Sequence, residues 1–378
     1  MDSKKRIIIL GATGSVGATV LSEIAQFPNQ FEVVGISCHS AVDRLREIVH
    51  QFSPKAVAIV DSPIGVDFRG MLFQGVSGLA QMIDALDFDV LVVALSGVNG
   101  LKATLKAIEK GKDIILANKE ILVIAGAMVT HFAKQKGVSI LPLDSEHNAI
   151  FQCTRGDNRF IKNLWLTASG GKFWNVDSAT MAGATVETVL QHPRWSMGKK
   201  ITVDSSTMAN KGLEIIEAMH LFAVDATRIR VAIHRSCIVH SLVEFCDGSF
   251  LAQMSPVSMK YAARHCLFYP ERIALEEQSL DLYQLGSLDF EYPDLERFPC
   301  LRLAIEVAKE KQSRHIAFNA ANEIAVELFL QKKIAFGSIP RLIENALSRI
   351  ESRDYETVEE ILAVDQMVRC KTKQLAHP

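Results

Sequence analysis

The sequence has no long block of charge of one sign, no apolar run long enough to cross a bilayer, and no paired cysteine motif. Its 41 basic side chains nearly balance 43 acidic ones, so nothing indicates a nucleic-acid or anionic-membrane surface. The apolar run near the start is cut at Gly11, too early for a signal-peptide core or a membrane helix. We expect small-molecule partners, no nucleic acid, no membrane, and a cytoplasmic location.

The cysteines are odd in number and scattered. This distribution argues against a disulfide framework and against a structural zinc site, which needs closely spaced thiolates. We expect most of these thiols to be buried. They are Cys38, Cys153, Cys237, Cys246, Cys266, Cys300 and Cys370.

The first part of the chain shows the alternation typical of an α/β fold. Hydrophobic residues make up 48% of the 378 residues, enough for two to three domains with sizeable cores. Between Arg6 and about Leu141, short β-branched runs alternate with amphipathic helical stretches. Such alternation predicts a parallel sheet of the Rossmann type, wrapped by helices. Runs such as VLVVAL lack polar alternation, as expected for strands covered on both faces.

The pattern changes after Asp144. The runs WLTAS and KITVDS predict strands, and the connections lengthen, which indicates a separate α+β domain. The stretch GSLDFEYPDLERFP predicts a linker, and helical periodicity follows it to the end. The predicted boundaries are 1–144 for a dinucleotide-binding domain, 145–284 for an α+β catalytic domain with a flexible loop near 190–198, 285–299 for the linker, and 300–378 for a C-terminal helical domain.

A glycine-rich loop, GATGSVG from Gly11, directly follows the strand RIIIL and opens a helix. Glycines permit the tight turn and let backbone N–H groups approach a pyrophosphate at the helix N-terminus. A glycine turn that only packs the helix on the strand would have the same spacing. Its place as the first strand-to-helix turn of a βαβ series favours a dinucleotide site.

The end of the second strand, FEVVGIS, indicates which dinucleotide is bound. An Asp or Glu there would bind the ribose 2′-hydroxyl and repel a 2′-phosphate. None occurs before Asp43, and His39, Ser40 and Arg44 leave room for the phosphate. We therefore expect NADP rather than NAD, with His39 and Ser40 as contacts.

Two carboxylates follow the apolar run LPL. If the chain stays extended, Asp144 and Glu146 project to the same side, because strand side chains alternate faces. Paired carboxylates at the carboxyl end of a strand suit a hard cation such as Mg²⁺ or Mn²⁺. The alternative is a helix N-terminus with favourable acids in its first turn.

Further polar clusters lie on both sides of this point. The run DSSTMANKGLE, from Asp204, offers the hydroxyls, amide and ammonium that a phosphate or polyol needs, although it would equally suit an N-capped surface helix. Glu214 and Glu217 lie one turn apart, and the pattern does not choose between them. TASGG at 167–171 resembles an anion cradle, and QHPRWSMG at 191–198 is a loop that would fold over a ligand. Asn118, Lys119 and Glu120 follow the strand DIILA, where a lysine either neutralises an oxyanion or caps the sheet.

Six segments of the chain, in order, resemble the 1-deoxy-D-xylulose 5-phosphate reductoisomerase family of the non-mevalonate isoprenoid pathway. They are GATGSVG, LANKE, LPLDSEHNAIFQ, LTASGGKF, HPRWSMGKKITVDSSTMANKGLEIIEA and NAANEIAV. The resemblance implies an NADPH-dependent and divalent-metal-dependent enzyme that converts 1-deoxy-D-xylulose 5-phosphate to 2-C-methyl-D-erythritol 4-phosphate, and it implies a homodimer. Cys38 to Ala41 depart from the Gly-containing segment usual in the family, so the contacts to the 2′-phosphate stay open.

The resemblance also implies residue roles. The metal ligands would be Asp144, Glu146 and Glu214, which chooses Glu214 over Glu217, with Lys119 as the basic catalytic residue beside the metal. Substrate contacts are implied for Ser145, Glu146, Ser169, His192, Trp195, Ser205, Asn210, Lys211 and Glu214. Cofactor contacts are implied for Thr13, Gly14, Ser15, Val16, Asn118, Glu120 and Gly198.

The chemistry that the resemblance implies needs both a divalent metal ion and NADPH. The metal would polarise the substrate carbonyl and acidify the neighbouring hydroxyl for carbon–carbon cleavage and rejoining, and NADPH would reduce the resulting aldehyde.

The sequence leaves two other functions open. A semialdehyde dehydrogenase also suits GATGSVG but needs an activated thiolate, for which Cys153 is the nearest cysteine. A non-catalytic NADP-sensing protein would need no carboxylate triad.

Overall fold

The structure is a computed structural model that describes residues 4–61, 68–191, 198–274 and 279–376. The chain divides into two compact units. The first comprises residues 1–121, 127–148 and 258–277, and the second comprises 122–126, 149–257 and 278–378. The C-terminal helices share the second unit with residues 149–257. The three-domain boundaries expected from the sequence stay a prediction.

The described residues form strands and helices that we number in chain order. The strands are β1 Lys5–Leu10, β2 Phe31–Cys38, β3 Ala56–Ile59, β4 Met71–Gln74, β5 Val90–Val93, β6 Asp113–Leu116, β7 Ile140–Pro142, β8 Ile161–Ala168, β9 Ile229–Ile233, β10 Val239–Phe245 and β11 Phe250–Met254. The helices are α1 Ser15–Gln26, α2 Val42–Phe52, α3 Gly75–Ala85, α4 Leu101–Glu109, α5 Lys119–Lys136, α6 Ser145–Thr154, α7 Ser178–Ala182, α8 Val186–Val189, α9 Lys199–Thr207, α10 Ala209–Phe222, α11 Lys260–Phe268, α12 Leu282–Leu285, α13 Pro299–Val307, α14 Gln312–Leu330, α15 Ile339–Leu347 and α16 Val358–Leu375.

The first unit contains a seven-stranded sheet in the order β4-β3-β2-β1-β5-β6-β7. Every pairing in it is parallel, which confirms the predicted Rossmann-type sheet. The strand order reverses between β1 and β5, and ligands of open α/β sheets bind at the carboxyl ends of strands at such a reversal. Strand β4 was not among the predicted strands, and it is a largely exposed strand at the sheet edge.

Helix α11 also belongs to the first unit and is tied to α1 by buried charges. Arg264 donates from Nε to Glu23 at 2.7 Å and from Nη2 to the Gln26 side chain at 2.7 Å. Both Arg264 and Glu23 are buried. A buried charge is tolerated where its partner and further hydrogen bonds satisfy it, so this cluster specifies where α11 packs against the helix of the glycine loop.

The second unit contains a four-stranded mixed sheet in the order β11-β10-β8-β9, in which only β8 and β9 run parallel. The predicted linker contains a single-residue bridge between Glu291 and Ile233, and buried Phe298 stacks on Trp174 with ring centroids 5.9 Å apart. Helix α13 begins at Pro299, as the pattern after the linker predicts. Within the described ranges, no helix is both long and apolar enough to cross a membrane.

One local prediction is wrong. The run KITVDS forms helix α9 rather than a strand. Its β-branched residues favour a strand locally, but Thr202 donates to the Gly198 carbonyl at 2.9 Å and Ser206 to the Thr202 carbonyl at 3.0 Å, so the hydroxyls are satisfied inside a helix. For the acids after LPL, the sequence left an extended chain and a helix N-terminus open. They lie at a helix N-terminus, because α6 begins at Ser145.

Two buried histidines in the second unit predict acid sensitivity. The rings of His220 in α10 and His315 in α14 lie 6.0 Å apart. Burial lowers the pKa of each imidazole to about 4, and for His220 the neighbouring His315 contributes to this lowering. An unfolded histidine titrates near pH 6.5, so the unfolded state takes up protons first as the pH falls. We expect the free energy of unfolding to decline from about pH 6.5 towards pH 4, measured by urea denaturation.

The variant His315→Gln should decline less steeply over this range, because one of the two proton-uptake sites is gone. His131→Gln, at an exposed position of α5, is the matched control and should follow the wild type. Parallel pH profiles for all three proteins would show that these buried imidazoles do not cause the acid sensitivity.

Candidate functional site

The glycine loop follows β1 at the strand-order reversal. Gly11 has φ +86°, and a Cβ on it would lie 2.5 Å from the Ala94 carbonyl oxygen. A Cβ on Gly17 would lie 2.3 Å from the Gly11 carbonyl oxygen. Side chains at these positions are therefore excluded by the backbone. Helix α1 begins at Ser15 without a capping side chain or an acidic residue in its first turn, so its N-terminal N–H groups suit an anion.

The residues after β2 agree with the preference for NADP. His39 and Ser40 are exposed just after the buried strand end. Asp43, the first acid after β2, pairs with Arg46 at 2.7 Å. Burial raises the pKa of the Cys38 thiol to about 11, so this cysteine is a neutral core residue.

Asn118 connects the carboxyl ends of β5 and β6. Its Oδ1 accepts from the Ile121 N–H at 2.8 Å and thereby caps α5. Its Nδ2 donates to the carbonyls of Leu95 and Gly97 at 2.8 and 2.7 Å. Both amide hydrogens are used inside the protein, so a cofactor would meet the backbone or the remaining lone pair of Oδ1.

The predicted carboxylates of the first unit lie at the start of α6. Lys119 Nζ forms a largely buried ion pair with Asp144 at 2.5 Å. Ser145 donates to Glu146 at 2.5 Å. Asn148 was not among the predicted site residues, yet it is buried, donates to the Pro142 carbonyl at 2.9 Å and holds this turn at the end of β7. Its position four residues after Asp144 was the only available signal.

In the second unit, two predicted serines lie on contacting segments. The Gly171 N–H donates to Ser169 Oγ at 3.1 Å. Gly171 has φ +68°, and a Cβ on it would lie 2.6 Å from the Ser205 carbonyl oxygen. The loop after β8 therefore packs directly on the end of α9, and only glycine allows this approach.

The predicted amide, ammonium and carboxylate of the second unit meet on α10. Asn210 Nδ2 and Lys211 Nζ both donate to the Glu214 carboxylate. Lys211 and Glu214 are 4% and 1% exposed, so the two charges offset each other within the protein. Glu217, one turn later, is fully buried. Met208, at φ +60°, forms the corner between α9 and α10 and orients both helices.

The remaining predicted site residues lie in three other segments of the chain. His192 and Trp195 lie outside the described residues. Gly198 is exposed and forms the N-cap of α9. Glu120 is buried in the first turn of α5. Thr13 and Val16 are half-buried in the glycine loop, with Gly14 and Ser15 exposed between them.

Comparison with known proteins identifies the family. Three family models match the chain. The model of 1-deoxy-D-xylulose 5-phosphate reductoisomerase matches residues 7–126, and the model of the C-terminal domain of this enzyme matches residues 140–222. The model of the DXP reductoisomerase C-terminal domain matches residues 254–371. A 1-deoxy-D-xylulose 5-phosphate reductoisomerase from Psychrobacter sp. (strain PRwf-1) is 45% identical over 93% of this chain and 90% of its own length. The chain belongs to the 1-deoxy-D-xylulose 5-phosphate reductoisomerase family.

Solved reductoisomerase structures share the whole fold. A DOX-P reductoisomerase in complex with NADPH, fosmidomycin and magnesium has a TM-score of 0.91 and 41% identity, covering 98% of both chains. The reductoisomerase from Zymomonas mobilis in complex with NADPH has a TM-score of 0.90 and 37% identity, covering 99% of this chain and 100% of that one. The reductoisomerase resemblance and the fold class are thus confirmed, and the semialdehyde dehydrogenase reading is not favoured.

Proposed function

We propose that this protein converts 1-deoxy-D-xylulose 5-phosphate to 2-C-methyl-D-erythritol 4-phosphate, with NADPH as reductant and a divalent cation, in isoprenoid precursor biosynthesis. The observation that carries the proposal is full-length membership of the reductoisomerase family, together with its relatives' complexes with NADPH and magnesium. When bound, the cation supplies Lewis-acid polarisation of the substrate oxygens, and NADPH supplies hydride.

The metal ligands proposed are Asp144, Glu146 and Glu214. The family resemblance supports this set. Asp144 and Glu146 lie at the start of α6 in the first unit, and Glu214 lies on α10 in the second unit. Three carboxylates give the all-oxygen ligand set that Mg²⁺ prefers, and Mn²⁺ is an alternative cation.

Catalytic and substrate roles follow from chemistry and position. Lys119, paired with Asp144, is proposed to hold positive charge beside the reacting oxygens. The substrate's phosphate and hydroxyls are assigned to the hydroxyl, amide and ammonium groups of the second unit, with His192 and Trp195 closing over them to exclude water. These groups are Ser169, Ser205, Asn210 and Lys211, and Ser145 is placed near the reacting carbons.

The cofactor is proposed to bind at the carboxyl ends of the parallel strands. The pyrophosphate meets the N-terminus of α1, and the 2′-phosphate meets the exposed His39 and Ser40. The remaining contacts are assigned to Thr13, Gly14, Ser15, Val16, Asn118, Glu120 and Gly198. The Asp43–Arg46 ion pair supports the choice of NADP, because it reduces the negative field where the 2′-phosphate would bind.

The deciding experiment follows NADPH absorbance with 1-deoxy-D-xylulose 5-phosphate, with and without chelator. We expect NADPH oxidation only with both the sugar phosphate and a divalent cation, and complete loss with chelator that excess Mg²⁺ reverses. Turnover excludes the non-catalytic NADP-sensing reading. Oxidation that is indifferent to chelator, or absent with the sugar phosphate, would contradict the proposal.

We also propose a homodimer formed through the second-unit sheet. Trp165, Leu242 and Ala252 stand opposite one another across β8, β10 and β11, so their side chains share one face. Phe250 lies on the same face, 49% exposed, with its ring centroid 6.3 Å from that of Trp165. None of these four side chains is fully buried. Arg230 and Glu244 stand opposite Trp165 and Phe250 on this face, so a central apolar patch has charged neighbours. An apolar patch of this kind is stabilised by covering it, and a second copy presents the same patch.

The variant Leu242→Glu should therefore shift the protein from dimer to monomer in analytical ultracentrifugation at about micromolar concentration, since two carboxylates would be desolvated in the interface. Leu282→Glu is the matched control, because Leu282 is a 68% exposed leucine of α12 outside this face. The proposal fails if the wild type is monomeric or if Leu242→Glu remains dimeric.

We propose that the protein is located in the cytoplasm, which is a reducing compartment. None of the seven cysteines, all of which lie within the described ranges, forms a disulfide, and four of them are buried. Proteins of oxidising compartments commonly form disulfides between cysteines that are close enough. Fractionation of cells that express the full chain, followed by immunodetection, tests this, and recovery outside the soluble cytoplasmic fraction would contradict it.

A further inference from the structure

A buried carboxylate lies immediately before Ser205 in α9. Asp204 is 1% exposed. Its Oδ1 accepts from Asn322 Nδ2 at 2.8 Å, and its Oδ2 accepts from Lys200 Nζ at 2.9 Å. Asn322 belongs to α14 and is separated from Asp204 by 118 residues of sequence. The segment NAANE, which matched the family pattern without an assigned role, thus bonds directly to α9.

The two donors to Asp204 differ in character. Lys200 is one turn away on the same helix and is partly exposed, so its bond follows α9 wherever the helix moves. Asn322 is fully buried on a different helix, so its bond sets the position of α9 relative to α14. A buried carboxylate that lost this donor would be partly unsatisfied, and α9 would shift to find another donor or water.

Movement of α9 would reach both serines of the proposed phosphate site. Ser205 follows Asp204 directly, and its carbonyl oxygen is the backbone atom against which Gly171 packs. The Gly171 N–H in turn donates to Ser169. A displacement at Asp204 is therefore transmitted through backbone contacts that leave no space for independent adjustment.

We propose that Asn322 is a positioning residue, which holds Ser205 and the Ser169 loop in place for the substrate's phosphate through its hydrogen bond to Asp204. This inference rests on the function proposed above. It assigns a role in substrate affinity to the C-terminal helices. Asn322 need not touch the substrate.

The chain offers a matched control one turn earlier on α14. Asn319 is also fully buried, and the Oδ1 atoms of Asn319 and Asn322 both have no hydrogen-bond partner among the described residues. Asn319 Nδ2 donates to Glu323 at 3.1 Å, and Glu323 pairs with Arg369 of α16. Removing either amide removes one hydrogen bond from a buried asparagine to a carboxylate, but of the two only Asn322 donates to α9.

The test compares steady-state kinetics of Asn322→Ala and Asn319→Ala. For Asn322→Ala we expect KM for the sugar phosphate to rise about tenfold, with kcat and the KM for NADPH changed less than about threefold. For Asn319→Ala, we expect KM for the sugar phosphate within about twofold of the wild type. Equal KM values in the two variants would overturn the inference, because the effect would then be general loss of core packing.

If Asn322→Ala does not fold, exchanging the side chains of Asn322 and Asp204 provides a second test of the same hydrogen bond. Asn322→Asp places two carboxylates face to face and should raise KM at least as much as Asn322→Ala. Adding Asp204→Asn to it restores a donor and an acceptor, so KM should return to within about threefold of wild type. Absence of rescue overturns the inference, whereas a wild-type protein without turnover overturns the proposed function instead.

Discussion

The variant Glu214→Gln will lose at least about 100-fold in kcat/KM for 1-deoxy-D-xylulose 5-phosphate, about 2.7 kcal/mol of transition-state stabilisation. The glutamine amide keeps the size of the side chain but removes the negative charge of a proposed metal ligand. It also leaves buried Lys211 without the carboxylate to which its ammonium donates. The assay is NADPH oxidation at several Mg²⁺ concentrations, and the concentration for half-maximal activity should rise in the variant.

The variant Glu217→Gln is the comparison for Glu214→Gln, because it tests which of the two carboxylates binds the metal. Glu217 lies one turn after Glu214 on α10 and is equally buried, and the sequence pattern alone does not choose between the two carboxylates. If the three-carboxylate assignment holds, Glu217→Gln will need no more Mg²⁺ than the wild type, whatever its stability. A raised Mg²⁺ requirement in Glu217→Gln, with an ordinary one in Glu214→Gln, would transfer the proposed ligand role from Glu214 to Glu217.

Replacing Gly171 by alanine will lower kcat/KM at least about 30-fold, about 2 kcal/mol, mainly by raising KM for the sugar phosphate. Gly171 has φ +68°, where an L side chain is strained by about 1–3 kcal/mol. The added Cβ would also lie 2.6 Å from the Ser205 carbonyl oxygen, a backbone atom that cannot rotate away. The loop and α9 must separate, which parts the two serines assigned to the phosphate.

Gly183→Ala is its control in the same unit. Gly183 follows α7 with φ −87°, and the atoms nearest to an added Cβ are at 3.8 and 3.9 Å, which is ordinary contact. We expect its kcat/KM within about twofold of wild type. A Gly171→Ala enzyme with unchanged KM would show that the packing of this loop on α9 does not set substrate affinity.

The predictions from the sequence succeeded where function depends on a short local pattern. The glycine loop could be located because the strand RIIIL, the turn and the next helix are adjacent in the chain, and the backbone contacts of Gly11 and Gly17 give the same explanation in three dimensions. The parallel sheet followed from repeated apolar runs. The reductoisomerase family followed from six segments whose order and residue types are read without coordinates.

Other features depend on groups that are distant in sequence or on hydrogen bonds that hydrophobic periodicity does not record. The run KITVDS has the residue types of a strand, yet it is helical, and the hydroxyls of Thr202 and Ser206 donate to carbonyls one turn earlier. The acids after LPL begin a helix whose first turn is held by Asn148. The bond between Asp204 and Asn322 joins residues 118 positions apart, so no local pattern contains it. Residue type and spacing thus established the family. Only the tertiary structure decided which buried donor pairs with Asp204, because that pairing is a property of packing in space.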